Sequence, residues 1–136
     1  MPLRARRILV AEDETALLDF VSRNLQARGF EVLEATNGLE ALALWERESP
    51  DLLILDIMMP RLDGLEVCRR VREQSIVPII VLTARELTAA DLARLKGYVT
   101  VTLSKSGLAR DQLMRELERA IHGKRIGTQG ELSRVG

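Results

Sequence analysis

Short, wholly apolar runs alternate along this chain with stretches in which apolar residues recur every three or four positions. Ile8-Leu9-Val10-Ala11, bounded by Arg7 and an acidic cluster, reads as a buried strand. Residues 14–28 then place Leu17, Leu18, Val21 and Leu25 on one helical face, with Gly29 as the stop. Residues 30–34 read as a second strand. Asn37 and Glu40 stand at capping-box spacing ahead of a helix that carries Leu39, Leu42 and Trp45 to about residue 48, where Ser49-Pro50 breaks it. Leu52-Leu53-Ile54-Leu55 is a third strand. Asp63 and Glu66 repeat the cap spacing, and Leu65, Cys68 and Val71 mark the helix behind them. Pro78 opens a fourth strand at residues 79–82, and Thr88 with Asp91 caps a short helix through Leu95. Residues 99–103 alternate weakly as a fifth strand, and a last helix carries Leu113, Met114, Leu117, Ala120 and Ile121 on one face.

Strands that are apolar along their whole length need cover on both faces, and helices between them supply it; the crossovers make the sheet parallel. Five such units predict a doubly wound α/β sandwich whose ligand site lies beyond the carboxyl ends of the strands. The predicted organisation is an N-terminal extension at 1–6, one domain at 7–122 and a glycine-rich, flexible tail at 123–136.

Length and composition narrow the field. The chain has 136 residues and 46% hydrophobic residues, enough for one buried core and too short for two domains. Its 20 basic and 20 acidic residues balance, which argues against a direct nucleic-acid binder. The longest uncharged apolar run, about residues 76–84, is too short to span a bilayer, so no membrane insertion is expected. The first residues lack the apolar core of a signal peptide. One cysteine, Cys68, excludes an intrachain disulfide, and a cytoplasmic setting is expected.

The carboxyl ends of the strands carry the chemistry. Strand one ends at Glu12-Asp13, strand three at Asp56, strand four at Thr83 and strand five at Ser104-Lys105. In a parallel sheet these converge on one edge. Carboxylates so close repel one another, and a hard divalent cation relieves the conflict: Mg²⁺ takes oxygen ligands and keeps several waters. Lys105 can pair with a carboxylate or with a phosphate bound there. Thr83 can donate to a phosphoryl oxygen, and Asp56 is placed to act as a nucleophile forming an aspartyl phosphate.

These residues resemble the receiver domain of bacterial two-component response regulators. The likeness rests on Ile8-Leu9-Val10-Ala11-Glu12-Asp13-Glu14, Leu53-Ile54-Leu55-Asp56-Ile57-Met58-Met59-Pro60, Asp63-Gly64, Leu82-Thr83-Ala84 and Leu103-Ser104-Lys105. The separations are 43 residues from Asp13 to Asp56, 27 to Thr83 and 22 to Lys105. The resemblance implies a flavodoxin-like (βα)5 sandwich with strand order 2-1-3-4-5. It implies that Asp56 is the phosphoacceptor, Thr83 the switch hydroxyl and Lys105 the phosphate contact. It also implies that Glu12, Asp13, Asp56 and the Met58 backbone carbonyl hold Mg²⁺ or Mn²⁺. The implied partners are a sensor histidine kinase or a histidine phosphotransfer protein as donor, an unknown downstream protein, and a second copy of the chain in a homodimer. Output is expected through the face formed by the fourth helix, fifth strand and fifth helix. A protein of this kind catalyses its own aspartyl phosphorylation and dephosphorylation.

Three positions depart from the family pattern. Ser106-Gly107 follows the lysine where proline is usual, so a trans peptide or a rearranged loop is expected. Thr102 stands in place of the usual aromatic switch, and Leu95-Lys96-Gly97-Tyr98-Val99 replaces a glycine- and acid-rich stretch. This version looks closer to receivers associated with sensor kinases and phosphorelays. A stand-alone receiver is suggested by the starting Met, and a piece of a longer protein by the region around Lys105.

Other readings stay beside this one. A receiver fold can serve as a phosphorylation-independent docking or dimerisation module, which the Thr102 and Ser106 departures favour. A dehalogenase-type phosphatase would want a second Asp where Met58 stands, and a nucleotide enzyme would want glycines where Glu12-Asp13-Glu14 stands. Cys68 and Trp45 read as packed residues, and His122 as a cation near a helix C-terminus. Arg4, Arg6 and Arg7 read as solvated.

Overall fold

The computed structural model describes residues 7–84, 88–99, 101–105 and 109–126. Five strands and five helices alternate: β1 (Arg7–Ala11), α1 (Thr15–Ala27), β2 (Glu31–Ala35), α2 (Gly38–Glu48), β3 (Leu52–Asp56), α3 (Gly64–Arg72), β4 (Ile79–Thr83), α4 (Ala89–Leu95), β5 (Val101–Ser104) and α5 (Arg110–Ile126). The strands form one parallel sheet in the order β2-β1-β3-β4-β5, as expected. Ser106, Gly107 and Arg4, Arg6 lie outside the described residues, so the expectations attached to them do too.

The period of two along each strand divides the core into two layers. Leu9, Ala11, Leu53, Leu55, Ile79 and Val81 pack toward α2, α3 and Leu95 of α4. Ile8, Val10, Leu52, Ile54, Ile80 and Leu82 pack on the other side against α1 and α5. β3 and β4 are buried along their whole length, as central strands of a sheet covered on both faces must be. Cys68 and Trp45 are buried in the first layer.

Local chemistry sets the element ends. Gly29, at φ 95°, and Phe30 close α1 with a Schellman pair: Gly29 N–H donates to Gln26 O at 2.9 Å and Phe30 N–H to Leu25 O at 3.1 Å. Phe30 is thereby tied to the helix, and β2 begins one residue later than its apolar pattern suggests. The same effect moves β5. Tyr98 and Val99 donate to Leu95 O at 2.8 and 3.0 Å, finishing α4, so the strand starts at Val101 rather than at residue 99. Asn37 and Asp63 accept from the amides of Glu40 and Glu66 at 2.8 and 2.9 Å. Glu40 reaches back to Thr36 N–H at 2.7 Å, not to Asn37. Thr88 and Asp91 form a complete reciprocal box. α5 continues through Ile126, past Gly123 where the tail was expected to begin, and His122 lies within the helix.

Arg72 ties the bottom of the α3 side together. Its guanidinium donates to Tyr98 O at 2.9 and 2.5 Å, to Val77 O at 2.8 Å and to Ser75 O at 3.0 Å. The connectors before β4 and β5 thus share one clasp. Arg28 and Glu118 pair across α1 and α5.

Candidate functional site

The parallel register delivers the expected groups to one edge. Asp56 pairs in register with Leu82, and Thr83 with Ser104, so the ends of β3, β4 and β5 step up together. Lys105 N–H donates to Thr83 O at 2.8 Å, which fixes the chain as it leaves β5. Glu12, just beyond β1, donates its N–H to Ala35 O at 3.0 Å and turns inward.

Two carboxylates are buried here around one ammonium. Glu12 is 1% exposed and Asp56 3%. Lys105 Nζ lies 2.7 Å from Glu12 Oε1 and 3.3 Å from Asp56 Oδ2. The other oxygens have backbone donors: Glu14 N–H to Glu12 Oε2 at 3.1 Å and Met58 N–H to Asp56 Oδ1 at 3.0 Å. Thr83 is buried at 3% beside them. Asp13 is exposed, and the Met58 side chain is about half exposed at 52%.

The electrostatics follow from burial. Desolvation, with the Asp56 charge added, pushes the Glu12 carboxyl up to about 7, even though the Lys105 and Glu14 hydrogen bonds pull it down. Burial raises Asp56 as well, against the pull of the Met58 amide and Lys105. For Lys105, burial alone would favour the neutral amine; its two carboxylate partners outweigh it and hold the ammonium above its ordinary value.

Oxygen atoms of Glu12, Asp13 and Asp56 lie within 4.8 Å of one another. When ionised, three carboxylates against one ammonium leave two negative charges in excess, and the carboxylate donor set is all oxygen. Those are the demands of a hard divalent cation, so the residues present fit Mg²⁺ or Mn²⁺.

The structure therefore gathers Glu12, Asp13, Asp56, Thr83 and Lys105 at one strand edge, with Met58 supplying its amide to Asp56. Two supports escaped notice in the sequence. The Glu14 backbone amide holds Glu12, and no residue-type pattern announces a backbone donor. Gly64 lets α3 begin against β3: a Cβ there would lie 2.5 Å from Asp56 O and 2.7 Å from Ile57 Cα. The Asp63-Gly64 pair carried that signal, read only as part of a motif.

A sequence profile of the response regulator receiver domain matches residues 8–118. The chain is 44% identical over 82 residues to the alkaline phosphatase synthesis transcriptional regulatory protein PhoP of Bacillus subtilis, covering 60% of this chain and 34% of that protein. It is 47% identical over 90 residues to response regulator MprA of Mycobacterium leprae, covering 65% and 40%. The chain thus spans between 34% and 40% of the length of these two curated relatives. Among solved structures, chemotaxis response regulator CheY4 of Vibrio cholerae superposes with a TM-score of 0.74 at 32% identity, covering 85% of this chain and 98% of that one. The receiver domain of Francisella response regulator 1452 gives 0.73 at 28% identity, covering 88% and 98%. Among the described residues no helix is long and apolar enough to cross a membrane.

Proposed function

This chain belongs to the response regulator receiver domain family, and on that premise we propose that it is a phosphorylation-controlled switch whose Asp56 accepts a phosphoryl group from a phosphohistidine donor. The observation that carries the reading is the buried Asp56 carboxylate facing Lys105 Nζ at 3.3 Å, with Glu12 and Asp13 within 4.8 Å. The donor would be a sensor histidine kinase or a histidine phosphotransfer protein, and the setting cytoplasmic.

A carboxylate oxygen of Asp56 attacks phosphorus, the P–N bond breaks, and its electron pair returns to the donor imidazole. The product is an acyl phosphate on Asp56. Lys105 serves twice: its charge offsets part of the burial penalty on the Asp56 carboxylate before transfer, and it faces the phosphoryl oxygens after it. Thr83, at the neighbouring strand end, donates its hydroxyl to a phosphoryl oxygen. Glu12, Asp13, Asp56 and the Met58 carbonyl would hold Mg²⁺ or Mn²⁺, which when bound supplies positive charge to the phosphoryl oxygens. The modification adds about −1.5 to −2 charges at neutral pH. Output runs through the surface of α4, β5 and α5, where Leu92 is half exposed at 49% and β5 is an edge strand. A downstream protein or a second copy of the chain would read that surface.

The test is incubation with a small-molecule phosphodonor and Mg²⁺, followed by intact mass, for wild type and Asp56→Asn. One added phosphoryl group in wild type and none in the variant supports the reading. If no adduct forms and beryllofluoride leaves structure and partner binding unchanged, the chain is a phosphorylation-independent docking module instead.

A further inference from the structure

The loop between β3 and α3 is held at its base and pressed from one flank. At the base, Ile57 N–H donates to Leu82 O and Gly64 N–H to Ile57 O, each at 3.0 Å. Met59 is buried at 7% in the core layer on the α2–α3 side. The tip is a sharp turn. Arg61 has φ 72°, a left-handed value that a side chain makes costly, and Leu62 N–H donates to Pro60 O across it at 2.8 Å. This is a γ-turn of the rare, strained hand. Arg61 is exposed, so burial of its side chain does not impose the turn.

The start of α2 stands against that tip. A Cβ at Gly38 would lie 1.7 Å from Leu62 O, 2.6 Å from Leu62 C and 2.7 Å from Leu62 Cβ, so only glycine lets the two backbones meet. Gly38 N–H also faces Pro60 O, at 3.5 Å. The support is stiff. Asn37 accepts from Glu40 N–H at 2.8 Å, Glu40 accepts from Thr36 N–H at 2.7 Å, and Ala41 is fully buried. A strained turn persists only where its surroundings over-determine it, and the Gly38 contact supplies that constraint. The near half of the same loop, Met58 to Pro60, lines one cleft together with Asp13. Moving Leu62 therefore moves the short run of backbone that leads back to Met58 beside Asp13.

We propose that Gly38 and the left-handed backbone of Arg61 are positioning elements of the cation site: the first turn of α2 seats the loop so that the Met58 carbonyl is presented to Mg²⁺ alongside Glu12, Asp13 and Asp56. Both act through the loop rather than as ligands. The inference rests on the cation site of the proposed function.

The experiment measures Mg²⁺ affinity by isothermal titration calorimetry on the full chain, with Tm recorded for every variant. Proline fixes φ near about −65°, so Arg61→Pro forbids the turn at an exposed position, whereas Arg61→Gly permits it. Gly38→Ala and Arg61→Pro should each weaken Mg²⁺ binding at least about fivefold, and Arg61→Gly should stay within about twofold of wild type. Gly29→Ala is the control for general destabilisation. It strains a turn at φ 95° just before β2, at the amino ends of the strands, so it should lower Tm and leave affinity within about twofold. Wild-type affinity in Arg61→Pro overturns the proposal, and decides it even if Gly38→Ala does not fold. A loss in Arg61→Gly as large as in Arg61→Pro assigns the effect to the side chain and overturns it too, as does an equal loss in Gly29→Ala. Each of these results leaves the cation site and Asp56 standing. If wild type itself binds no Mg²⁺, the cation site falls and the positioning role with it.

Discussion

Replacing Lys105 by Met isolates the charge at the centre of the site. The thioether keeps most of the aliphatic stem and removes the ammonium that lies 2.7 Å from Glu12 and 3.3 Å from Asp56. Both carboxylate side chains are at most 4% exposed, so water cannot replace the lost partner. Leaving a buried charge without its partner costs about 3–5 kcal/mol while the carboxylates stay ionised. Protonation relieves the cost. Burial pushes the Glu12 carboxyl up to about 7 in the folded chain from its ordinary value of 4.5. Between those values the folded state holds a proton that the unfolded state has released, so metal-free stability falls as pH rises through the window and levels off above it. Asp56 shifts in the same direction. In chelator, wild type should therefore melt lower at pH 8 than at pH 5. The loss in Lys105→Met should be largest at pH 8 and shrink to about 1 kcal/mol at pH 5, where Glu12 is already neutral. For 136 residues, 1 kcal/mol corresponds to about 3–4 °C. The variant should thus melt about 9–20 °C below wild type at pH 8 and about 3–4 °C below it at pH 5. Thermal unfolding by circular dichroism, at both pH values and one ionic strength, measures this. Equal losses at pH 5 and pH 8 would refute the charge argument and leave only a packing role for Lys105.

Three further outcomes are expected. Asp13→Asn should weaken Mg²⁺ binding at least about tenfold by titration, and with Asp13 exposed should change metal-free Tm little; unchanged affinity removes Asp13 from the ligand set. Gly64→Ala drives a Cβ into the backbone of Asp56 and Ile57, which no rotamer can relieve, so Tm should fall by the equivalent of about 1–3 kcal/mol with slower phosphoryl uptake. The buried Ser22 hydroxyl finds no hydrogen-bond partner among the described residues, so Ser22→Ala on α1 should stabilise by about 1 kcal/mol in denaturant unfolding.

The central strands were legible because burial on both faces leaves them apolar up to their last residues, Asp56 and Thr83, and Leu52-Leu53-Ile54-Leu55 has no polar position. The starts of β2 and β5 were not, because they depend on carbonyls of the preceding helix. Phe30, Tyr98 and Val99 look like strand residues and are held by Leu25 and Leu95. Asn37, Asp63 and Thr88 announced their helices because a cap is a local pairing across three residues. The same limit applies at the site. Spacing brings Glu12, Asp56 and Lys105 to one edge, yet it cannot say that neighbouring Glu12 and Asp13 differ as buried and exposed. Nor can it say that Lys105 contacts two carboxylates, since that depends on three strand ends packed side by side. Arg72 shows the limit in another way: its partners are four backbone hydrogen bonds to three carbonyls. Backbone acceptors have no residue-type signature.

On the proposed function, the charge count at the strand edge gives a route from a modification of Asp56 to a distant surface. Before transfer, one ammonium is shared between Glu12 and Asp56, and both carboxyls are raised by burial. A phosphoryl group on Asp56 would replace one negative charge with about −1.5 to −2 and would draw the ammonium from Glu12 toward the new oxygens. Lys105 cannot move freely, because its amide is bonded to Thr83 O at 2.8 Å. A pull on the side chain would therefore be felt at the ends of β4 and β5 together. β5 is an edge strand of only four residues whose strand positions are not fully buried, and seven-residue α4 sends one residue, Leu95, fully into the core. Sparse burial means low local stability, so these elements yield before the buried β1 and β3 do. If Asp56 is phosphorylated as proposed, Lys105 would couple that change to the ends of β4 and β5, and the lightly packed α4–β5 edge is where the fold would yield first.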